Sequence, residues 1–293
     1  MRNLKQLAGA ALLAVVVPSA ANAQGGADIY VVTFNELGSR VSVGRPVNVT
    51  RRAGYDNQPS FSADGSAILY TSVRGDAQAD IWRVSVRGGA AQNLTQTPES
   101  EYSATTMPGG GAYSVIRVER DSTQRLWRFP FDGSAPSLVL TALRPVGYHV
   151  WVGDATLGAF VLGQPNALVV VDARTERVDT VARDIGRALV RFPGRDAFTF
   201  LAMGKDTSWI SEVDVRTHAV RRVVPALPRA DYHLWTPGGR LIAGSGTRLF
   251  ILVDGRWDIL ADFAEFGVKG ISRLALSPTA THLAFVAEDG GVP

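Results

Sequence analysis

Polar and apolar positions alternate in short runs along this chain, and the runs return at a nearly constant distance. Between Tyr55 and Gly89 the order is Gln58-Pro59-Ser60-Phe61, then Ser62-Ala63-Asp64-Gly65, then Ala67-Ile68-Leu69-Tyr70-Thr71-Ser72, then Asp80-Ile81-Trp82-Arg83-Val84. Short runs of β-branched and aromatic residues, bounded by an Asp-Gly pair, predict strand, tight turn, strand, loop and strand. Aligned on Phe61, the later anchors are Thr106, Trp151, Arg191, Trp235 and Leu276, at spacings of 45, 45, 40, 44 and 41. The turn chemistry returns as Met107-Pro108-Gly109-Gly110, Phe192-Pro193-Gly194-Arg195, Thr236-Pro237-Gly238-Gly239 and Ser277-Pro278-Thr279, and more weakly as Val152-Gly153-Asp154-Ala155. Third strands end at Phe131-Asp132-Gly133, Val171-Asp172-Ala173, Val213-Asp214-Val215 and Val253-Asp254-Gly255. Fourth strands end at Leu94-Thr95, echoed by Val49-Thr50 and Leu140-Thr141.

Four short strands per unit at this period predict an all-β fold, a six-bladed β-propeller of four-stranded antiparallel blades. One blade cannot cover both of its own faces, so neighbours stacked around an axis complete the core. The closing blade is expected to draw on both chain ends. Gly290-Gly291-Val292-Pro293 follows a second strand, Asp28-Ile29-Tyr30-Val31-Val32-Thr33-Phe34 reads as a third, and residues 40–50 read as a fourth. Residues 24–293 are therefore expected to form a single propeller domain whose last blade is closed by N- and C-terminal strands.

The preceding residues read as an address. Arg2 and Lys5 lead into an uncharged apolar run over 7–17, Pro18-Ser19 break it, and Ala21-Asn22-Ala23 supplies small residues for a signal peptidase. The run is about half as long as a membrane-spanning helix requires. A signal peptide over 1–23, cleavage after Ala23, a bacterial periplasmic or secreted location, and no membrane span in the mature chain are expected. With no cysteine in the chain, disulfides, thiolate metal sites and a lipoprotein anchor are excluded. Cleavage takes away Arg2 and Lys5, so a formal charge of +3 falls to +1. No basic run remains to support nucleic-acid binding. Hydrophobic residues at 46% exclude a disordered chain. A monomer is expected.

The unit 58–65, together with Ser72-x-Arg74, Asp80-Ile81-Trp82 and Leu94-Thr95, resembles the WD40-like (PD40) repeat of TolB-type six-bladed propellers. The resemblance spans residues 28–290, strongest in this unit, moderate in blades two and five, and carried in the others mainly by spacing. It implies a periplasmic propeller that binds proteins or peptides through a loop face or a central tunnel. TolB itself carries an α/β domain ahead of its propeller. Here the expected signal peptide runs almost directly into the strand at Asp28, so a role in the Tol–Pal system is not carried over.

Local catalytic signatures are missing: G-x-S-x-G, H-E-x-x-H, an acidic calcium loop, a P-loop and a dinucleotide fingerprint do not occur. A site assembled from several blades leaves no such linear trace. The segments expected to converge on the axis offer Asp56, Asn57, Glu101, Tyr102, Tyr148, His149, Arg187, Asp231, Tyr232, His233 and Lys269 as channel-mouth candidates. His149 and His233 each precede an anchor tryptophan by two positions, and with Asp56, Glu101 or Asp231 would suit a divalent metal. Repetition at equivalent positions favours a packing role for both histidines, and also for Trp82 and Trp127. The sequons Asn48-Val49-Thr50 and Asn93-Leu94-Thr95 repeat at 45 residues and read as part of the blade rather than as glycosylation sites. The function expected is a non-catalytic scaffold, without cofactor, for an envelope or secreted protein or peptide. The alternative is a lactonase- or lyase-like enzyme with a divalent metal on the axis, and the basic residues Arg187, Lys269 and Arg273 would instead make part of the mouth anion-attracting. N-terminal sequencing of the protein recovered from the envelope fraction is expected to begin at Gln24, whereas a start at Met1 would show the leader to be retained.

Overall fold

The computed structural model describes residues 26–75 and 78–288. The expected signal peptide, its cleavage site and the terminal Gly290-Gly291-Val292-Pro293 lie outside the described residues. The chain enters the fold through β1 (Ala27–Leu37), β2 (Arg40–Val43) and β3 (Val47–Asn48). Blade one follows as β4 (Tyr55–Phe61), β5 (Ala67–Arg74), β6 (Gln78–Ser85) and β7 (Gln92–Asn93). Blade two is β8 (Ser100–Thr106), β9 (Ala112–Val118), β10 (Gln124–Pro130) and β11 (Ser137–Leu138). Blade three is β12 (Val146–Trp151), β13 (Thr156–Val161), β14 (Ala167–Asp172) and β15 (Arg177–Arg183). Blade four is β16 (Ile185–Arg191), β17 (Ala197–Ala202), β18 (Trp209–Asp214) and β19 (Val220–Pro225). Blade five is β20 (His233–Trp235), β21 (Leu241–Ser245), β22 (Arg248–Val253) and β23 (Arg256–Asp262), and β24 (Leu274–Leu276) and β25 (His282–Glu288) open blade six.

Blades two to five are separate four-stranded sheets, and blades one and six share a nine-stranded sheet. That sheet divides at a lone parallel bridge between Ala27 and Tyr55. Blade six runs β24-β25-β1-β3, so strands from both ends of the chain complete it. Seven residue pairs join β1 to β25, from Ala27–Glu288 to Thr33–His282.

The second strand of each blade explains why these segments read as apolar runs rather than clean alternations: both of its faces are buried. In β5, Ile68 and Tyr70 face the cluster shared with blade six, while Leu69 faces the cluster shared with blade two. In β25, Leu283 and Phe285 join the cluster with blade five, and Ala284 and Val286 the cluster with blade one. The same division occurs between blades two and three, three and four, and four and five. The core is thus distributed between successive blades all the way round. Close approach sets some residues outright. A Cβ on Gly158 would sit 2.5 Å from the Phe198 ring of the next blade.

The tight turns carry the predicted backbone. Gly65 takes φ +72°, with Asp64 Oδ1 accepting bonds from Ser62 Oγ at 2.6 Å and Ser66 N at 3.1 Å. Ala280 occupies the same slot in the last blade at φ +50°. Three fourth strands, β3, β7 and β11, are only two residues long, and side chains hold the first two of them. Asn48 Nδ2 donates to Asp28 Oδ2 at 2.7 Å, while Thr50 Oγ1 donates to Asp28 Oδ1 at 2.9 Å and accepts from Ile29 N at 3.0 Å. Asn93, Thr95, Asp80 and Ile81 repeat that network in blade one. The two sequons are therefore clamps between the third and fourth strands.

One element differs from expectation. Residues 40–50 are not a single fourth strand. β2 instead folds back on an extended β1, pairing Arg40–Val43 with Phe34–Leu37, and Pro46, which has no N–H to donate, separates it from β3. The extension lets Glu36 latch the turn of blade five, accepting bonds from Thr236 Oγ1 at 2.8 Å and Gly238 N at 3.0 Å.

Because β1 feeds two inter-blade clusters and covers the edge of β25, a chain beginning at Arg51 is expected to lose cooperative thermal unfolding by circular dichroism. A shift of only a few degrees would show that the ring does not depend on this strand.

Candidate functional site

The innermost strands β4, β8, β12, β16, β20 and β24, with the residues just ahead of the last two, surround a cavity of about 140 Å³ on the axis. Bulges direct their side chains into it. Register slips between Asn57 and Ser60 in β4, Tyr102 and Thr105 in β8, Val146 and Tyr148 in β12, and Ile185 and Leu189 in β16. A bulge turns the strand locally and re-aims one residue. Gln58 and Ser103 sit at φ +58° and +55°, a region costly for side chains with a Cβ. Gln58 is held there by three donors to its Oε1: Thr71 Oγ1 at 2.9 Å, Ser103 N at 2.7 Å and Ser103 Oγ at 3.0 Å. Three residues ahead of each blade anchor, Gln58, Ser103, Tyr148, Ala188, Tyr232 and Arg273 all line the cavity.

Arg273 dominates this ring. Its guanidinium carbon lies 4.5 Å from the Tyr232 ring centre and 5.1 Å from that of Tyr148, and Nη2 donates to Tyr148 Oη at 3.1 Å. Tyr148 belongs to blade three and Arg273 to blade six, so the contact crosses the axis. Two aromatic faces stabilise the cation where bulk water is reduced. Tyr55 lies close enough to feel the same charge. Burial, only partly opposed by Arg273, pushes its hydroxyl up to about 12, and it accepts from Gln58 Nε2 at 3.3 Å.

Of the sequence candidates, Tyr148, His149, Arg187, Tyr232 and His233 line the cavity. Asp56 and Glu101 are fully buried and do not line it. They face the second strand of their own blade, where the directly paired residues are Ser72 and Arg117. Asp56 accepts from Ser72 Oγ and from Arg52 Nη1 at 3.0 Å, and Glu101 from Thr97 Oγ1 and from Arg117 Nε at 2.9 Å. Burial raises the pKa of both carboxyls despite these partners. Asn57 supports the bulge, its Oδ1 accepting from Gln58 N at 2.7 Å. Tyr102 packs against the cluster between blades two and three. Asp231 and Lys269 are exposed and outside the lining. Gln58, Ser60 and Ser103 were not among the candidates, although Gln58 and Ser103 share the offset of Tyr148 and Tyr232 from their anchors, as does Arg273, read from the sequence as one of three basic residues near the mouth.

The two histidines are held alike. Ser114 Oγ lies 2.6 Å from His149 Nε2 and accepts from Trp151 Nε1 at 2.9 Å. Thr199 Oγ1 lies 2.8 Å from His233 Nε2 and accepts from Trp235 Nε1 at 2.9 Å. A hydroxyl on the second strand of one blade thereby fixes the first strand of the next. The Ser114–His149 distance is that of a nucleophile and its base. Full burial of Ser114, the tryptophan on its oxygen and the repetition with threonine mark it as packing. Burial lowers the pKa of both imidazoles to about 3, so they are neutral. Among the described residues no three His, Asp or Glu side chains gather as a metal site requires.

Three of the residues that carry the repeat resemblance, Ser72, Arg74 and Trp82, also form one cluster. Arg74 lies over the Trp82 ring at 3.5 Å, and its Nε donates to Ser72 Oγ at 3.0 Å. No family model and no curated protein matches the chain in sequence. Solved structures do match in fold. A protein assigned as TolB from Agrobacterium tumefaciens superposes with a TM-score of 0.67 at 16% identity, covering 90% of this chain and 99% of the other. A gluconolactonase from Xanthomonas campestris gives 0.63 at 12%, covering 90% and 96%. A chain of a nidogen–laminin complex gives 0.60 at 11%, covering 90% and 99%. The protein has the propeller fold of these structures, and identities this low carry the likeness no further.

His149 and His233 titrate near 6.5 in an unfolded chain and near 3 in the fold, so the unfolded state takes up protons first and stability falls as pH drops below 6.5. The loss is at most about 1.4 kcal/mol per histidine per pH unit. Asp56 and Glu101, whose raised pKa values act in the opposite sense, are common to wild type and variant and cancel in a comparison. Thermal melts of wild type and H149Q/H233Q are expected to converge between pH 7 and pH 4. Parallel profiles would show that the imidazoles are not buried as neutral groups.

Proposed function

We propose that this protein is an exported, non-catalytic scaffold that receives a protein or peptide partner at the loop face and mouth of its channel. One observation carries this reading: the groups capable of proton chemistry are used by the ring itself. His149 and His233 are bound to hydroxyls of the preceding blade, and Asp56 and Glu101 are paired inside their own blades. Beside the two imidazoles held in this way, the cavity presents guanidinium, phenol, amide and hydroxyl groups, which suit recognition. Recognition by loops and side chains on a rigid ring is a common use of this architecture. Similarity to a chain from a nidogen–laminin complex is consistent with such a use. The reading includes a leader over 1–23, a bacterial periplasmic or secreted location and a monomeric state, the first two resting on the sequence pattern of that segment.

The gluconolactonase likeness favours an enzymatic second reading, with a divalent cation held by residues of several blades. That reading needs converging carboxylates or imidazoles, and Asp56, Glu101, His149 and His233 are engaged elsewhere. Affinity capture with tagged residues 24–293 on envelope extract is expected to retain a specific partner. The same preparation is expected to leave lactones and oligogalacturonates unchanged with or without calcium, manganese or zinc. Metal-dependent turnover without a retained partner would replace the scaffold by the enzyme.

A further inference from the structure

The arginines close to the inner strands of this ring fall into two groups. Arg52 meets Asp56 at 3.0 Å and Arg117 meets Glu101 at 2.9 Å. Arg273 and Arg187 meet no carboxylate among the described residues, and both line the axial cavity, whose lining contains no acid. A half-buried cation without a counter-charge is costly, and the two tyrosine rings offset only part of that cost. Among the described residues Arg273 makes a single hydrogen bond, to Tyr148 Oη, out of the five its guanidinium can donate. Two further polar groups on the same lining have atoms without partners: Ser60 Oγ, and His149, through its Nδ1. Asp231, the acid that acts with Arg187 on Tyr232, is exposed and outside the cavity.

We infer that the axial cavity is a carboxylate-binding subsite, with Arg273 as its anchor and Arg187 as a second positive charge at the mouth. The Tyr148 and Tyr232 rings lie against the Arg273 guanidinium and Tyr148 Oη takes one of its N–H groups, which leaves the other N–H groups to the ligand. A planar carboxylate matches that edge with two parallel hydrogen bonds. At about 140 Å³ the cavity is well below the roughly 300–1,000 Å³ of sites that enclose a whole small molecule. It admits the acid group alone, with the rest of the ligand outside. The carboxylate comes either from an acidic side chain or C-terminus of a bound peptide, or from a small free acid. The subsite rests on the scaffold reading only for the peptide source.

Calorimetry and thermal shift on residues 24–293 test this with four probes at matched ionic strength. They are succinate, a blocked tripeptide with a central aspartate, its asparagine counterpart, and inorganic phosphate, with chloride as the reference salt. Succinate and the aspartyl peptide are expected to bind and to stabilise, more weakly as salt rises, and the asparaginyl peptide to do neither. Arg273→Gln is expected to weaken binding about tenfold to hundredfold. Arg273→Lys, which keeps the charge and loses the fork, recovers part of it. Arg187→Gln changes an exposed residue, so its fold is retained, and it is expected to lower affinity and flatten the salt dependence. No carboxylate binding, binding unchanged in R187Q and folded R273Q or R273K, or phosphate bound in preference to succinate would each overturn the subsite. Succinate bound without the peptide keeps the subsite and assigns it to a free acid. Partner capture that survives R273Q keeps the scaffold and removes the subsite from its interface.

Discussion

Everything in this molecule depends on covering two apolar faces of every blade. A four-stranded sheet with Ile68 and Tyr70 on one side and Leu69 on the other is stable only between two neighbours. The chain meets that requirement by returning on itself. β1 lies beside β25 and contributes Tyr30, Val32 and Phe34 to the cluster on one face, and Ile29 and Val31 to the cluster on the other. No cysteine is available to cross-link the ends. Pairing of β1 with β25 and the latch from Glu36 to blade five therefore carry the closure.

Polar groups inside the ring serve the same constraint. The Asp28–Asn48–Thr50 network and its copy at Asp80–Asn93–Thr95 satisfy backbone groups where the fourth strand is too short for a ladder. The Ser114–His149–Trp151 group and its counterpart Thr199–His233–Trp235 join consecutive blades. Duplication at equivalent positions separates packing from chemistry here. A catalytic pair is needed once, whereas a device that holds blade to blade is useful at each interface. Buried networks of this kind add specificity to an apolar interface that would otherwise tolerate sliding.

The axis is where this economy ends. Six strands converging on one line cannot interdigitate there as faces do, and bulges in four of them, with the residues just ahead of the other two, turn one side chain per blade inward. Those residues are free to differ: glutamine, serine, tyrosine, alanine, tyrosine and arginine in successive blades. Charge and hydrogen bonding at the axis are set by these choices, and the Arg273–Tyr148–Tyr232 contact is their strongest result. Asymmetry within a repeated frame is what allows a ring of similar blades to recognise one ligand.

Much of the fold was legible in the amino-acid order alone. The period of anchors from Phe61 to Leu276, the Asp64-Gly65 turn and its equivalents, and the strand-like pattern at Asp28–Phe34 are local features, and local backbone preference is enough to express them. The break at Pro46 was also written there, though its consequence for β2 was not. Which side chains reach the axis was decided by tertiary structure. Asp56 and Tyr148 stand two positions apart relative to their anchors, and strict alternation would send both to the same side. The slip in register at each bulge separates them, burying Asp56 against Ser72 and turning Tyr148 toward Arg273. That contact joins residues 125 positions apart, and no pattern along a strand encodes it, because it exists only when the ring closes.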